Sequence, residues 1–221
     1  AGYVFGRSGF GQLRSVNKES FFSLRFGPAR EIHGHFDHLS LTFWDRGRNV
    51  IVDAGHPGYA RGKMRDYAQS RQAHNVLMVR GKEHNPEAAS RLVSRQIEET
   101  WSAFDLEDTA WEGLKWKRSA CFADCGPFVV ADSLEPTPKV EYAEQRWNVA
   151  PEFEYVGSQY ETTRFRSVVD GTQLVFIRYG IEGSRYFEHT DVNMARGDRE
   201  GLRGIVFRNE QPTDTWTVGF G

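Results

Sequence analysis

Cysteine is almost missing from this 221-residue sequence; Cys121 and Cys125 are its two examples. Two cannot make a disulfide scaffold, so folding must rest on a packed core. They flank a short Phe-Ala-Asp turn and read as two half-buried thiols or one optional local bridge. A zinc site built on them would need two further ligands that the sequence does not place. They do not decide the redox compartment. No apolar run reaches the roughly 20 residues that a membrane helix needs, and no basic-then-apolar leader opens the chain. A start at Ala1 is expected of a processed protein or, more readily, of a domain of a longer one. Charge of one sign is also lacking: 28 basic residues face 30 acidic ones, net −2. That balance excludes a general nucleic-acid or membrane-surface footprint, a local basic patch aside. Internal repeats, low-complexity linkers and helical periodicity are scarce as well.

What is present is a procession of short alternating segments. A chain of this length can bury a full core as one domain. Tyr3 to Phe5, Leu13 to Val16, Phe21 to Phe26 and Ile32 to Trp44 read as strands. Asp45-Arg46-Gly47-Arg48 turns the chain into the β-branched run Asn49 to Asp53, giving a predicted hairpin. Tyr59 to Gln72 is polar and reads as an ordered loop with one helical turn, and His74 to Val79 as a strand. From Leu92 to Phe220, ten more strands alternate with turns every ten residues or so, such as Asp124 to Pro127, Glu135 to Pro138 and Ile181 to Gly183. Many short, evenly spaced strands predict an all-β fold, a large antiparallel β-sandwich with few or no helices. We expect a single domain over residues 1–221, softest near Gly81 to Ser90. Six Trp and eight Tyr would suit sugar stacking, although aromatic residues in strands more often build a core.

One stretch organises the chemistry: Glu31-Ile32-His33-Gly34-His35-Phe36-Asp37-His38 holds three of the seven histidines. On a strand, His33, His35 and Asp37 would share a face. Two imidazoles and a carboxylate there would serve a metal, a proton transfer, or both. The string also matches the His-x-His-x-Asp-His pattern of metallo-β-lactamases. That family places its Asp-Gly strand before the histidines, whereas Val50-Ile51-Val52-Asp53-Ala54-Gly55 comes after them here, and that fold needs helices. A metallo-β-lactamase-like hydrolase is therefore the third reading.

The order of three segments fits another family. His33-Gly34-His35-Phe36-Asp37-His38-Leu39-Ser40 is followed by Val52-Asp53-Ala54-Gly55-His56-Pro57-Gly58-Tyr59. Then comes Tyr67-Ala68-Gln69-Ser70-Arg71-Gln72-Ala73-His74-Asn75-Val76. This trio resembles the C-terminal β-sandwich domain of heparinase II/III-like polysaccharide lyases, as do Lys117-Arg118-Ser119 with Phe128 to Leu134, and Glu144 to Glu152. The family often carries His where Asn148 stands, which leaves that position without an inherited role.

The resemblance implies that His33 faces substrate while His35, Asp53 and His74 bind Zn²⁺, mainly to order the loop from Ala54 to Ala73. Asn75 and Asp37 become candidates for fixing imidazole tautomers; His38 and His56 receive no role. It implies cleavage beside a uronic acid by β-elimination, with His33 as base, acid or carboxylate neutraliser and Tyr67 or Tyr59 assisting. Arg61, Lys63, Arg65 and Arg71 would attract an acidic polysaccharide of glycosaminoglycan or alginate type. The implied setting is periplasmic or secreted and bacterial. The implied partner is an N-terminal α/α-toroid domain of the same protein, not seen in this chain, without which activity should be weak or nil. A non-catalytic carbohydrate-binding sandwich with structural zinc is the alternative.

Overall fold

A computed structural model describes residues 2–28, 34–59, 61–85, 87–124, 126–136, 140–180, 183–189, 202–209 and 216–221; for 183–189 and residue 202 only the backbone is described. His33, Cys125 and the expected turns at 137–138 and 181–182 lie outside the described residues. Among the described residues, sixteen strands follow in chain order. The first five are β1 (Gly2–Arg7), β2 (Ser20–Phe26), β3 (Leu41–Asp45), β4 (Arg48–Ile51) and β5 (Leu77–Arg80). Next come β6 (Arg91–Ile97), β7 (Trp101–Asp108), β8 (Lys115–Ala123), β9 (Phe128–Glu135), β10 (Tyr142–Val149) and β11 (Phe153–Gln159). The last are β12 (Thr162–Ser167), β13 (Gln173–Tyr179), β14 (Gly183–His189), β15 (Leu202–Asn209) and β16 (Trp216–Phe220).

They form two antiparallel sheets of eight strands. One runs β1-β2-β3-β4-β10-β15-β14 with β5 also on β10; the other runs β11-β12-β13-β16-β9-β8-β7-β6. Alternation explains the layering. In β8, Trp116, Arg118, Ala120 and Phe122 are buried, and in β9 so are Phe128, Val130, Asp132 and Leu134. Every second residue therefore points into the interior. Phe128 lies at the centre, with ring contacts to Phe22, Phe43, Phe122 and Phe220 at 5.1 to 5.9 Å. Trp111, Trp116, Trp147 and Trp216 are buried; they are core and do not form a sugar platform. Among the described residues no helix is long and apolar enough to cross a membrane.

The all-β sandwich is as expected, and four local expectations change. Leu13 to Val16 is irregular and leads into a 3₁₀ turn at Val16–Lys18; Glu19 gathers Ser8 and Arg14 at 2.7 Å each and holds this stretch as a loop. The polar loop contains a two-turn helix, α1 (Lys63–Gln69), whose Ala68 is buried. β14 was not expected as a strand, the reading there stopping at the turn from Ile181 to Gly183, yet it pairs along its length with β15. Residues 34–40 are not strand. The Ser40 N–H closes a turn onto the Asp37 carbonyl at 2.9 Å, and Leu39 sits at φ +59, a conformation that breaks strand alternation and strains a residue bearing Cβ. His35 and Asp37 therefore do not share a strand face.

Candidate metal centre

Three separate segments bring the site together on the first sheet. His35 lies in the loop before β3. It is bracketed by Gln69 at the end of α1: the Phe36 N–H donates to the Gln69 carbonyl at 2.9 Å, and the Gln69 amide donates to the Gly34 carbonyl at 3.4 Å. Asp53 follows β4, where the Val52 N–H still bonds to Asn148 but the chain then leaves the sheet. His74 follows a 3₁₀ turn at Arg71–Ala73.

His35, Asp53 and His74 offer one ligand atom each within 4.8 Å of one another, the one such group among the described residues. The fold thus brings these three residues from distant segments together. His74 Nδ1 lies 2.6 Å from Asp53 Oδ2, while His74 Nε2 is buried with no hydrogen-bond partner. A buried imidazole nitrogen without a partner is costly unless something fills it. Two imidazoles and a carboxylate are an ordinary zinc set, so the residues fit the metal that the sequence implied.

The electrostatics agree. Burial pushes the His35 imidazole below its ordinary range, with His74 adding to the effect, which favours the neutral form that a metal needs. Burial alone would raise the Asp53 carboxyl. His74, the Gly55 N–H at 3.0 Å and His35 outweigh it and hold Asp53 below its usual range, as a carboxylate. Tyr3, Arg25, His35, Asp37, Asp53 and His56 are among the residues lining a cleft of about 330 Å³ here.

Other expectations sort differently. Tyr59 is exposed, its ring 5.0 Å from His56. Tyr67 sits on α1 and donates its hydroxyl to the Gln72 carbonyl at 3.2 Å; burial raises its pKa against the opposing pull of Arg146. Arg61 and Lys63 are exposed. Arg71 is not on the loop face as expected. It is 5% exposed, donates to the Leu77 carbonyl at 3.0 Å and lies over the Trp111 and Trp116 rings at 5.4 Å, so its place is inside the fold. Asn75 touches backbone and not the imidazoles.

The rest of the metallo-β-lactamase string disperses: Asp37 Oδ1 is 3.6 Å from Arg25 Nε, and buried His38 faces Asp108 at 3.5 Å. One residue gains interest: the His56 ring stacks 6.2 Å from His35, and its Nδ1 accepts the Gly58 N–H at 3.1 Å. The strand-breaking stretch Gly55-His56-Pro57-Gly58 directly after Asp53 was the available sequence signal.

The model of the family described as "Heparinase II/III-like, C-terminal" matches residues 2–219. The chain is similar to a solved structure described as "Heparinase III-BT4657 gene product", with TM-score 0.83 and 18% identity over 99% of this chain and 34% of that one. It is also similar to heparan sulfate lyase HepC from Pedobacter heparinus, with TM-score 0.81 and 17% identity over 100% of this chain and 34% of that one. A weaker likeness, TM-score 0.59 at 8% identity, covers 93% of this chain and 89% of the structure described as HI1317. These likenesses establish the fold. The chain spans about a third of the length of the heparinase structures it matches. No curated protein sequence matches it. With its two-sheet sandwich and a family match from end to end, the chain belongs to the heparinase II/III-like C-terminal domain family.

Proposed function

We propose that the chain is the C-terminal domain of a lyase that cleaves a uronic-acid-containing acidic polysaccharide by β-elimination. The observation that carries this reading is the cluster of His35, Asp53 and His74 around a buried, unpartnered imidazole nitrogen, opening on a cleft. His35, Asp53 and His74 would hold Zn²⁺. When bound, the ion supplies a fixed positive centre that ties the loop after Asp53 to the sheet.

The reaction needs three groups. One neutralises the uronate carboxylate, so that the neighbouring C–H acidifies. A base removes that proton; its electron pair forms the C=C bond as the C–O bond to the 4-oxygen breaks. An acid protonates the departing oxygen. His33, two residues before His35 in sequence, is our choice for the group beside the reacting sugar, because imidazole titrates near working pH. Tyr59, exposed beside His56, is the better-placed phenol to assist; the Tyr67 hydroxyl is already committed to Gln72. Exposed Arg61 and Lys63 suit a polyanionic chain. An N-terminal α/α-toroid domain of the same protein would complete the site, and a periplasmic or secreted setting fits such a substrate.

The test uses the longer protein, incubated with heparan sulfate, chondroitin, alginate and bacterial exopolysaccharides. Unsaturated-uronate absorbance should appear with one of them and vanish in His33→Ala. Polysaccharide binding without that absorbance on any of them would replace this reading with a non-catalytic carbohydrate-binding sandwich.

A further inference from the structure

Arg118 is a charged residue on an inward row, between Trp116 and Ala120. It is wholly buried, and so is Asp132, its register partner on β9. The pair is complete. Asp132 accepts Arg118 Nε at 2.8 Å and Nη2 at 2.7 Å, and also Trp116 Nε1 and the Gln145 amide at 2.7 Å each. A buried ion pair is weak ground for stability, because desolvation offsets its attraction. Something else occupies the remaining nitrogen: Arg118 Nη1 donates to the Leu39 carbonyl at 2.7 Å and to the Asn75 carbonyl at 2.8 Å. Those two backbone oxygens belong to the His35 and His74 segments.

Asn75 continues the connection. Its side-chain amide donates to the Leu41 carbonyl at 2.7 Å and to the Val52 carbonyl, next to Asp53, at 2.8 Å. Its side-chain oxygen accepts the Asn148 N–H at 2.6 Å, and the Asn148 amide returns to the Ala73 carbonyl at 2.8 Å. Asn75 and Asn148 are both fully buried.

We propose that Arg118 and Asn75 are positioning residues that fasten the three metal-bearing segments to one another and to the opposite sheet. The segments containing His35, Asp53 and His74 are irregular, so no ladder of strand hydrogen bonds sets their spacing. The guanidinium and the carboxamide supply fixed donors in its place, and the β8–β9 ion pair orients the guanidinium. The metal side of this inference rests on the zinc reading above; the fastening does not.

The experiment uses two variants of the metal-stripped protein, with Co²⁺ as the spectroscopic probe. Arg118→Met with Asp132→Asn removes both charges together and leaves an oxygen for Trp116. Arg118→Lys keeps the charge but cannot bond Asp132 twice and reach both carbonyls. Co²⁺ affinity, read from visible absorption, should fall about 10- to 100-fold, as for other supports of metal ligands. Hydrogen exchange of the metal-free protein should speed up selectively in peptides covering 34–41, 52–56 and 73–76, with β11–β13 unchanged. Unchanged exchange in those peptides, or an equal loss across the whole sandwich, overturns the proposal. A parent protein that binds neither Co²⁺ nor Zn²⁺ would refute the zinc reading alone; the exchange result would still decide the fastening.

Discussion

Asp53 Oδ2 and His74 Nδ1 meet at 2.6 Å. A carboxylate can only accept, so His74 Nδ1 donates to it, and Nε2 is the ring nitrogen left buried with no hydrogen-bond partner. Asp53→Asn removes the charge while keeping the shape, so it weakens both the hydrogen bond and the ligand set. Zn²⁺ affinity should drop by about 10- to 100-fold, measured by competition with a coloured chelator. An unchanged affinity would exclude Asp53 from the site.

Two groups of basic residues on neighbouring turns should respond in opposite ways. Arg61 and Lys63 are exposed, so replacing both by Ala should change stability by less than about 0.5 kcal/mol. It should weaken binding of a polyanionic sugar, most visibly at low salt. Arg71→Ala empties a buried position and leaves the Leu77 carbonyl and His84 without their donor. It should cost on the order of 2–4 kcal/mol of stability. Thermal unfolding and a binding titration, run side by side, separate the two.

His84 gives the protein a mild acid sensitivity. Burial, with Arg71 beside it at 3.0 Å, holds its pKa at about 4, against an ordinary value of about 6.5. Asp108 pulls the other way, and His38 reinforces the depression. Between these two values the unfolded chain binds a proton that the folded chain refuses. Stability therefore rises with pH across that window and is lost as pH falls through it. His84 is partly exposed, so solvent screening limits the effect to about 1–2 kcal/mol. His84→Asn should flatten stability between pH 4 and 6.5 in denaturant titrations; an unaltered slope would assign the sensitivity elsewhere.

The sandwich was legible because buried strands alternate, and alternation survives in β7 to β10 almost residue by residue. The meeting of His35, Asp53 and His74 was legible through the order of their three segments. What alternation hid was conformation. The apolar flank Leu39 to Phe43 extends the strand pattern backwards past Ser40, yet the Asp37–Ser40 turn and the positive φ of Leu39 stop the strand there. Arg71 shows the same weakness: charge in a polar stretch reads as surface, and only packing on Trp111 and Trp116 reveals it as interior. Arg118 and Asp132 did carry a signal. Both occupy inward positions of well-patterned strands, and a charge on such a row implies a buried partner.

The most direct measurement is the zinc content of the purified protein beside His35→Ala and His74→Ala. About one equivalent per chain in the parent, and under about a tenth in either variant, is expected of one site with three protein ligands. A parent with under about a tenth of an equivalent, or variants that keep the parent's content, would contradict a metal centre at His35, Asp53 and His74.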